Sequence, residues 1–171
     1  MESSSTLEVG SFDLVLVIGT LDTVNDLPLA LRLIRYAMRP DGFLLGAFSG
    51  GDTLPQLRAA MRAADAVTGR AAPHVHPRIE ASAVAPLLSD AGFIEPVVDI
   101  DRVSVSYASL DRLVRDLRSM AATNAMTARP RFIGKAGRAA ATRTFADAGS
   151  DGRTIEIFQT IHFAAWTPKE R

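Results

Sequence analysis

The sequence predicts an α/β domain on a largely parallel sheet, and three features carry that expectation. Phe12 to Gly19 is a continuous apolar run rich in branched side chains, the pattern of a strand covered on both faces inside a parallel sheet. A helical repeat follows, with Leu27, Leu31, Ile34 and Met38 on one stripe, and Phe43 to Phe48 then reads as a second buried strand. With 171 residues and 47% hydrophobic side chains, the chain is long enough for one core and too apolar for a disordered segment.

Each element has a local reason. Residues 1–10 form a polar leader. Asn25 or Asp26 is placed to cap the first helix, and Pro28 fits its first turn, where amide hydrogens lack partners in any case. Arg39-Pro40-Asp41-Gly42 reads as a helix stop and turn, and the strand–helix–strand unit around it should cross over right-handed. Gly50-Gly51-Asp52-Thr53 leaves the second strand and is expected to cap a helix that turns Leu54, Leu57, Met61 and Ala64 inward. Val67 to Pro77 reads as loop. A short helix over Ala83 to Asp90, interrupted by Pro86, stops at Gly92. Val97 to Tyr107 alternates as a third strand.

The second half of the chain continues the pattern. Ser109 caps the strongest helical stripe, Leu110, Leu113, Val114, Leu117, Met120 and Ala121, and a weaker helical signal spans Lys135 to Ala146. Asp151-Gly152 turns the chain into Thr154 to Trp166, a strand expected to face Ile155, Ile157, Ile161 and Phe163 inward, with His162 as a hydrogen-bonded core residue. Without repeats or linkers, residues 11–168 read as one domain and 169–171 as a tail.

Composition narrows the function classes. The longest apolar run, Leu14 to Gly19, falls far short of the roughly 20 residues that cross a bilayer, and the first residues lack the basic and apolar segments of a signal peptide. A soluble, cytoplasmic protein is expected, and the 17 Arg, 2 Lys and 27 Ala suggest a GC-rich bacterial source. The absence of cysteine removes disulfides, thiolate nucleophiles and Cys-ligated metals. A net charge of zero conceals a basic run, Arg129, Arg131, Lys135, Arg138 and Arg143, with no acid between them. Such a run is either a solvated helix face or a dock for an acidic group such as a carrier protein. Only Phe132 and Phe145 accompany it, so a stacking platform for nucleic acid is not expected. His74 and His76 share one side of an extended chain but lack a third and fourth ligand, so no metal site is expected. No nucleophile–base pair stands out, and the catalytic residues stay unassigned.

The order of elements and several local motifs resemble the second half of a class I S-adenosylmethionine-dependent methyltransferase. Gly10-Ser-Phe-Asp-Leu-Val-Leu-Val17 is similar to the fourth strand of that fold, and Val24 to Pro28, Leu31, Ile34 and Arg39 to Leu44 are similar to the helix, turn and strand that follow. More specific features are Gly50-Gly-Asp-Thr-Leu54, His74-Val-x-Pro77, Ala91-Gly-Phe93, Asp116-Leu117, Asn124-Ala125, Phe158-Gln159-x-Ile161 and Trp166-x-Pro168. These resemble the methyltransferase-like assembly factors of respiratory complex I and their bacterial relatives. Those relatives are in turn similar to the malonyl-carrier-protein O-methyltransferases of biotin synthesis.

The resemblance implies a partial Rossmann-like class I methyltransferase fold of about four strands. The last strand would be antiparallel and inserted between the second and third, with helices on the faces. It implies S-adenosylmethionine as cofactor of the complete fold, with Gly19, Thr20 and Leu21 bordering it. Gly50, Gly51, Asp52 and His74 would border the substrate, and Asp52 reads equally well as a helix cap. The activity implied is methyl transfer to a small molecule or to a protein or carrier-protein substrate. The alternative is an assembly-type module, linked in its family to arginine hydroxylation, without independent cofactor binding.

Departures from the pattern are specific. No Gly-x-Gly occurs anywhere in the chain, Leu21-Asp22-Thr23 stands where relatives read Leu-His-Trp, and Ala121-Ala122 stands where they tend to have Gly-Glu. The N-terminal cofactor-binding half is expected to be missing. Phe12 to Gly19 would then be an edge strand without Lys or Pro, which predicts a homodimer at or near that edge, as an antiparallel continuation of the sheet.

Overall fold

The computed structural model describes residues 9–69, 74, 78–122 and 132–169. Four strands, β1 (Phe12–Ile18), β2 (Met38–Ser49), β3 (Ile94–Tyr107) and β4 (Thr154–Trp166), form one sheet in the order β1-β2-β4-β3. β1 and β2 are parallel, whereas β4 lies antiparallel beside β2. This is the expected arrangement, with the last strand inserted between the second and third. Among the described residues five helices accompany the strands: α1 (Leu27–Ala37), α2 (Pro55–Thr68), α3 (Ala81–Asp90), α4 (Leu110–Ser119) and α5 (Gly134–Asp147). The chain divides into two compact units, one of Met1–Gly51, Arg78–Asp101 and Thr160–Arg171, the other of Asp52–Pro77 and Arg102–Gln159.

In the first unit, Asp26 caps α1 by accepting from the Leu29 amide at 2.8 Å, and the helix buries Leu27 and Leu31. Together with Val84 and Leu88 of α3, these residues meet Val15 and Val17 of β1, Leu44 and Phe48 of β2, and Ile161, Phe163 and Ala165 of β4. The core therefore lies on one face of the sheet. Register puts Leu14, Leu16 and Ile18 on the opposite face with Leu45, and all four are exposed, Ile18 to 73%. The expectation that β1 is covered on both faces is thus corrected. Among the described residues, α1 and α3 supply one cover only, and the apolar run that suggested two leaves a row of large side chains bare.

Arg39-Pro40-Asp41-Gly42 is not a turn. The four residues lie inside β2, where Asp41 takes a φ of 58° and the pairing with β1 shifts between Phe12 and Leu14. The irregularity is held by Thr167, whose hydroxyl accepts from the Gly42 amide at 2.7 Å and whose own amide donates to the Gly42 carbonyl at 2.9 Å. Proline and glycine here produce a bulge, which keeps the strand in the sheet and re-aims it.

The second unit packs α2, α4 and α5 around Leu57, Ala60, Ala64, Leu110, Leu113, Ala141 and Phe145. Ser109 caps α4 as expected, accepting from the Arg112 amide at 3.3 Å, but Met120 at the end of the expected stripe is 58% exposed. The stripe stops there because α4 ends at Ser119 and Ala121 already has a φ of 56°. A Cβ at Gly137 would lie 3.3 Å from Thr68 and 3.5 Å from the Ala64 carbonyl, so small residues set the approach of α5 to α2. α2 runs to Thr68, into the segment expected as loop.

The inward face of β4 also differs from the alternation read off the sequence. Thr154 and Glu156 are buried while Ile155 is 59% exposed, and farther along Gln159, Ile161, Phe163 and Ala165 are buried. Burial moves from even to odd positions between Glu156 and Gln159, where Ile157 and Phe158 are both partly buried, because Phe158 packs with the cluster of the second unit and Ile161, Phe163 and Ala165 with that of the first. His162 falls on the exposed side and is not a core residue.

Candidate functional site

In open α/β sheets ligands sit beyond the carboxyl ends of the strands. In the first unit these ends carry two turns. β1 ends at Gly19, whose φ of 66° turns the chain out of the strand while its amide donates to the Ala47 carbonyl at 2.8 Å. A Cβ added at Gly19 would meet nothing within 4 Å, so the backbone angle, not crowding, calls for glycine there. Thr20 accepts at its carbonyl from both the amide and the hydroxyl of Thr23, closing a single 3-10 turn over Leu21–Thr23. The Leu21 side chain turns inward and lines a small cavity of about 10 Å³ with Leu27, Leu31, Phe48, Val84, Leu87, Leu88 and Phe163. The Leu21 side chain thus belongs to the core.

β2 ends at Gly50 and Gly51, and the Gly51 amide donates to the Ile79 carbonyl at 3.0 Å. A Cβ on Gly51 would lie 2.2 Å from Oε1 of Glu80, so the Glu80 carboxylate rests against bare backbone. Two residues before Glu80, Arg78 pairs through Nη1 with Oδ2 of Asp22, inside the 3-10 turn that follows β1. Residues 78–80 therefore touch both turns. Sequence reading passed over Arg78, because its partner lies 56 positions away.

In the second unit, Asp52 is not a helix cap. α2 begins at Pro55, and the preceding Leu54 makes no side-chain cap. The first amides of α2 are met instead by Glu156 of β4, which accepts from Leu57 at 2.6 Å and from Gln56 at 3.3 Å. A carboxylate at a helix N-terminus satisfies orphan amides and meets the positive end of the helix dipole. Glu156 is fully buried, and burial pushes its carboxyl above the ordinary value, while the amides of Leu57, Gln56 and Ile157 pull it down. The signal in the sequence was a lone acid between Ile155 and Ile157 in an apolar strand.

Asp52 is engaged differently. Its Oδ2 accepts from Nη2 of Arg102 at 2.9 Å and from Nε2 of Gln159 at 3.0 Å, and its amide donates to Oε1 of Gln159. Thr53 exchanges two bonds with the Gln159 backbone, giving its hydroxyl proton to the carbonyl and accepting from the amide. Both partners of the Asp52–Arg102 pair are about half exposed, so the pair adds little stability. His74 is nearly buried, and its Nε2 lies 2.8 Å from Oδ1 of Asp65 on α2. His76 lies outside the described residues, as do Arg129 and Arg131. Of the rest of the basic run, Arg138 pairs with Asp111 of α4 at 2.9 Å, while Lys135 and Arg143 are exposed and form no ion pair among the described residues. Among those residues no three His, Asp or Glu side chains are placed to hold a metal ion, and no helix is long and apolar enough to cross a membrane.

The fold is that of the class I methyltransferases. A candidate methyltransferase from Bacillus halodurans superposes on 94% of this chain and 72% of its own with a TM-score of 0.56, at 12% identity. The chain is also homologous to two groups of curated proteins. It is 34% identical over 163 residues to the mitochondrial arginine-hydroxylase NDUFAF5 of Danio rerio, covering 94% of this chain and 51% of that protein. It is 34% identical over 160 residues to the malonyl-[acyl-carrier protein] O-methyltransferase of Xylella fastidiosa, covering 92% of this chain and 52% of that one. The chain spans about half the length of the curated relatives it matches. No protein-family model matches it.

Because its folded value is raised, native Glu156 holds its proton more tightly than the unfolded chain does. The resulting stabilisation is complete below the ordinary value near 4.5 and is lost as pH rises through the folded value. Relative to Glu156→Gln, which does not titrate, the wild type should lose stability as pH rises from 4 to 7. Urea midpoints of the two proteins across that range check this, and a pH-independent difference contradicts it.

Proposed function

We propose that the chain works within an S-adenosylmethionine-dependent, methyltransferase-type protein. Gly19, Thr20 and the Leu21 backbone border the cofactor, and Gly50, Gly51 and Asp52 border the acceptor. The observation that carries this reading is the strand order β1-β2-β4-β3, with β4 antiparallel beside β2, in a chain 34% identical to a malonyl-[acyl-carrier protein] O-methyltransferase. The open space at Gly19 and its outward turn fit the edge of the cofactor. When bound, the cofactor supplies an activated methyl group. The chain's own work is to bind and aim the acceptor, a small molecule or a group on a protein or carrier protein, which calls for positioning more than for a protein nucleophile. A bacterial, cytoplasmic setting belongs to this reading and is supported by the likeness to the Xylella fastidiosa protein.

A second reading, an assembly-type module without independent cofactor binding, is favoured by the matches to NDUFAF5 proteins. Titration of the chain with S-adenosylmethionine, followed by hydrogen exchange, separates the two. Saturable binding that slows exchange at Thr20 and Leu21 supports the first reading for this chain. No binding at millimolar cofactor overturns the first reading for this chain in favour of the second.

We further propose two partners. A second copy joins at or near the β1 edge, where Phe12, Leu14, Leu16 and Ile18 are exposed beside an open groove of about 330 Å³ lined also by Leu33, Ile34 and Ala37. Burying this surface is worth about 25 cal/mol per Å², and pairing the edge adds ladder hydrogen bonds of about 1 kcal/mol each. An acidic partner such as a carrier protein docks on Lys135 and Arg143, with Arg129 and Arg131 of the same run. Sedimentation velocity reads both. At tens of micromolar (roughly the working range of such assays) the wild type should be a dimer and Leu16→Lys a folded monomer, and co-sedimentation with an acidic carrier protein should be lost in high salt. A monomeric wild type contradicts the first, and salt-insensitive binding contradicts the second.

A further inference from the structure

We propose that Arg78 is a positioning residue that ties the turns at the ends of β1 and β2 into one body. Its guanidinium pairs with Asp22, the residue that follows the Gly19–Leu21 turn. The next carbonyl, that of Ile79, accepts from the Gly51 amide at 3.0 Å, and the Glu80 carboxylate lies against the bare Cα of Gly51. Three consecutive residues thus hold both strand ends, and α3 follows at Ala81, which fixes them to the core through Val84 and Leu88.

The pair is buried but only half satisfied. The Asp22 and Arg78 side chains are 10% and 14% exposed, and Oδ1 of Asp22 and Nε of Arg78 have no hydrogen-bond partner among the described residues. A buried ion pair with unused polar atoms is a poor source of net stability. What this one supplies is geometry: it fixes where the β1 turn stands relative to residues 78–80, and those residues fix Gly51. The Gly19 amide bonds the Ala47 carbonyl within β2, and among the described residues no hydrogen bond runs directly from Leu21–Thr23 to Gly50 or Gly51. Loosening Asp22 should therefore be felt at Gly51, although Asp22 does not touch it.

Hydrogen exchange in the unliganded chain tests this without any ligand. Asp22→Asn keeps the shape and weakens the pair. It should speed exchange of the Gly51 and Thr23 amides by on the order of tenfold, while the amides of Val15 and Leu44 inside the strands stay as they are. Arg78→Gln should do the same, Arg78→Lys should restore most of the protection, and Asp22→Asn with Arg78→Gln should add nothing to either single change. Faster exchange at Thr23 with Gly51 unchanged would overturn the proposal, since the turns would then be independent. Uniformly faster exchange through β1 and β2 would overturn it too, because Arg78 would then be serving general stability alone.

Discussion

The register of β4 against β2 is the constraint on which the rest of the structure depends. Phe163 stands opposite Gly46, and its ring covers the glycine so closely that a Cβ there would lie 2.1 Å from Cζ. The ring also meets Phe48 at a centroid distance of 5.7 Å, and farther along the same ladder Phe43 meets Trp166 at 4.8 Å. Aromatic pairs across adjacent strands fix both the partner and the register. With β4 so placed, α1 and α3 close over Leu44, Phe48, Ile161 and Phe163, and the ends of β1 and β2 emerge side by side. The two turns at those ends are neighbours because β1 pairs with β2 as far as Ile18 and Ala47.

A different device organises the second unit. α2 starts without a capping side chain of its own, and a buried carboxylate from β4 serves its first amides. That arrangement frees Asp52 to face Arg102 and Gln159 instead of the helix. Starting α2 and pairing with Arg102 therefore fall to two different acids, Glu156 and Asp52.

Much of the fold was legible in the sequence because its signals are local. Asp26 and Ser109 announce their helices, Gly92 ends α3 with a φ of 90°, and Asp151-Gly152 turns into β4 with φ values of 51° and 70°. The strand order followed from the family resemblance. The errors arose where partners are distant. Pro40 and Gly42 look like a turn until Thr167 holds them in the strand, 125 residues from Gly42. Asp52 looks like a cap until Glu156 takes the amides, about 100 residues on. Alternation in β4 gives no sign that the buried side changes along the strand, which leaves Ile155 outside and Glu156 inside. At the candidate site the glycines were visible, since positive φ and close approach are properties of single positions. Arg78, whose role depends on Asp22 and on the neighbours of Gly51, was not.

The Gly46–Phe163 contact is open to direct measurement by urea unfolding of Gly46→Ala, Phe163→Leu and the double variant. Forcing a methyl group under the ring should lower the stability of Gly46→Ala by about 1–3 kcal/mol at unchanged m-value. Part of that loss should return when Phe163→Leu makes room, so the two changes should be non-additive. A Gly46→Ala midpoint equal to wild type, or strictly additive losses, would contradict the account that this contact sets the register of β4.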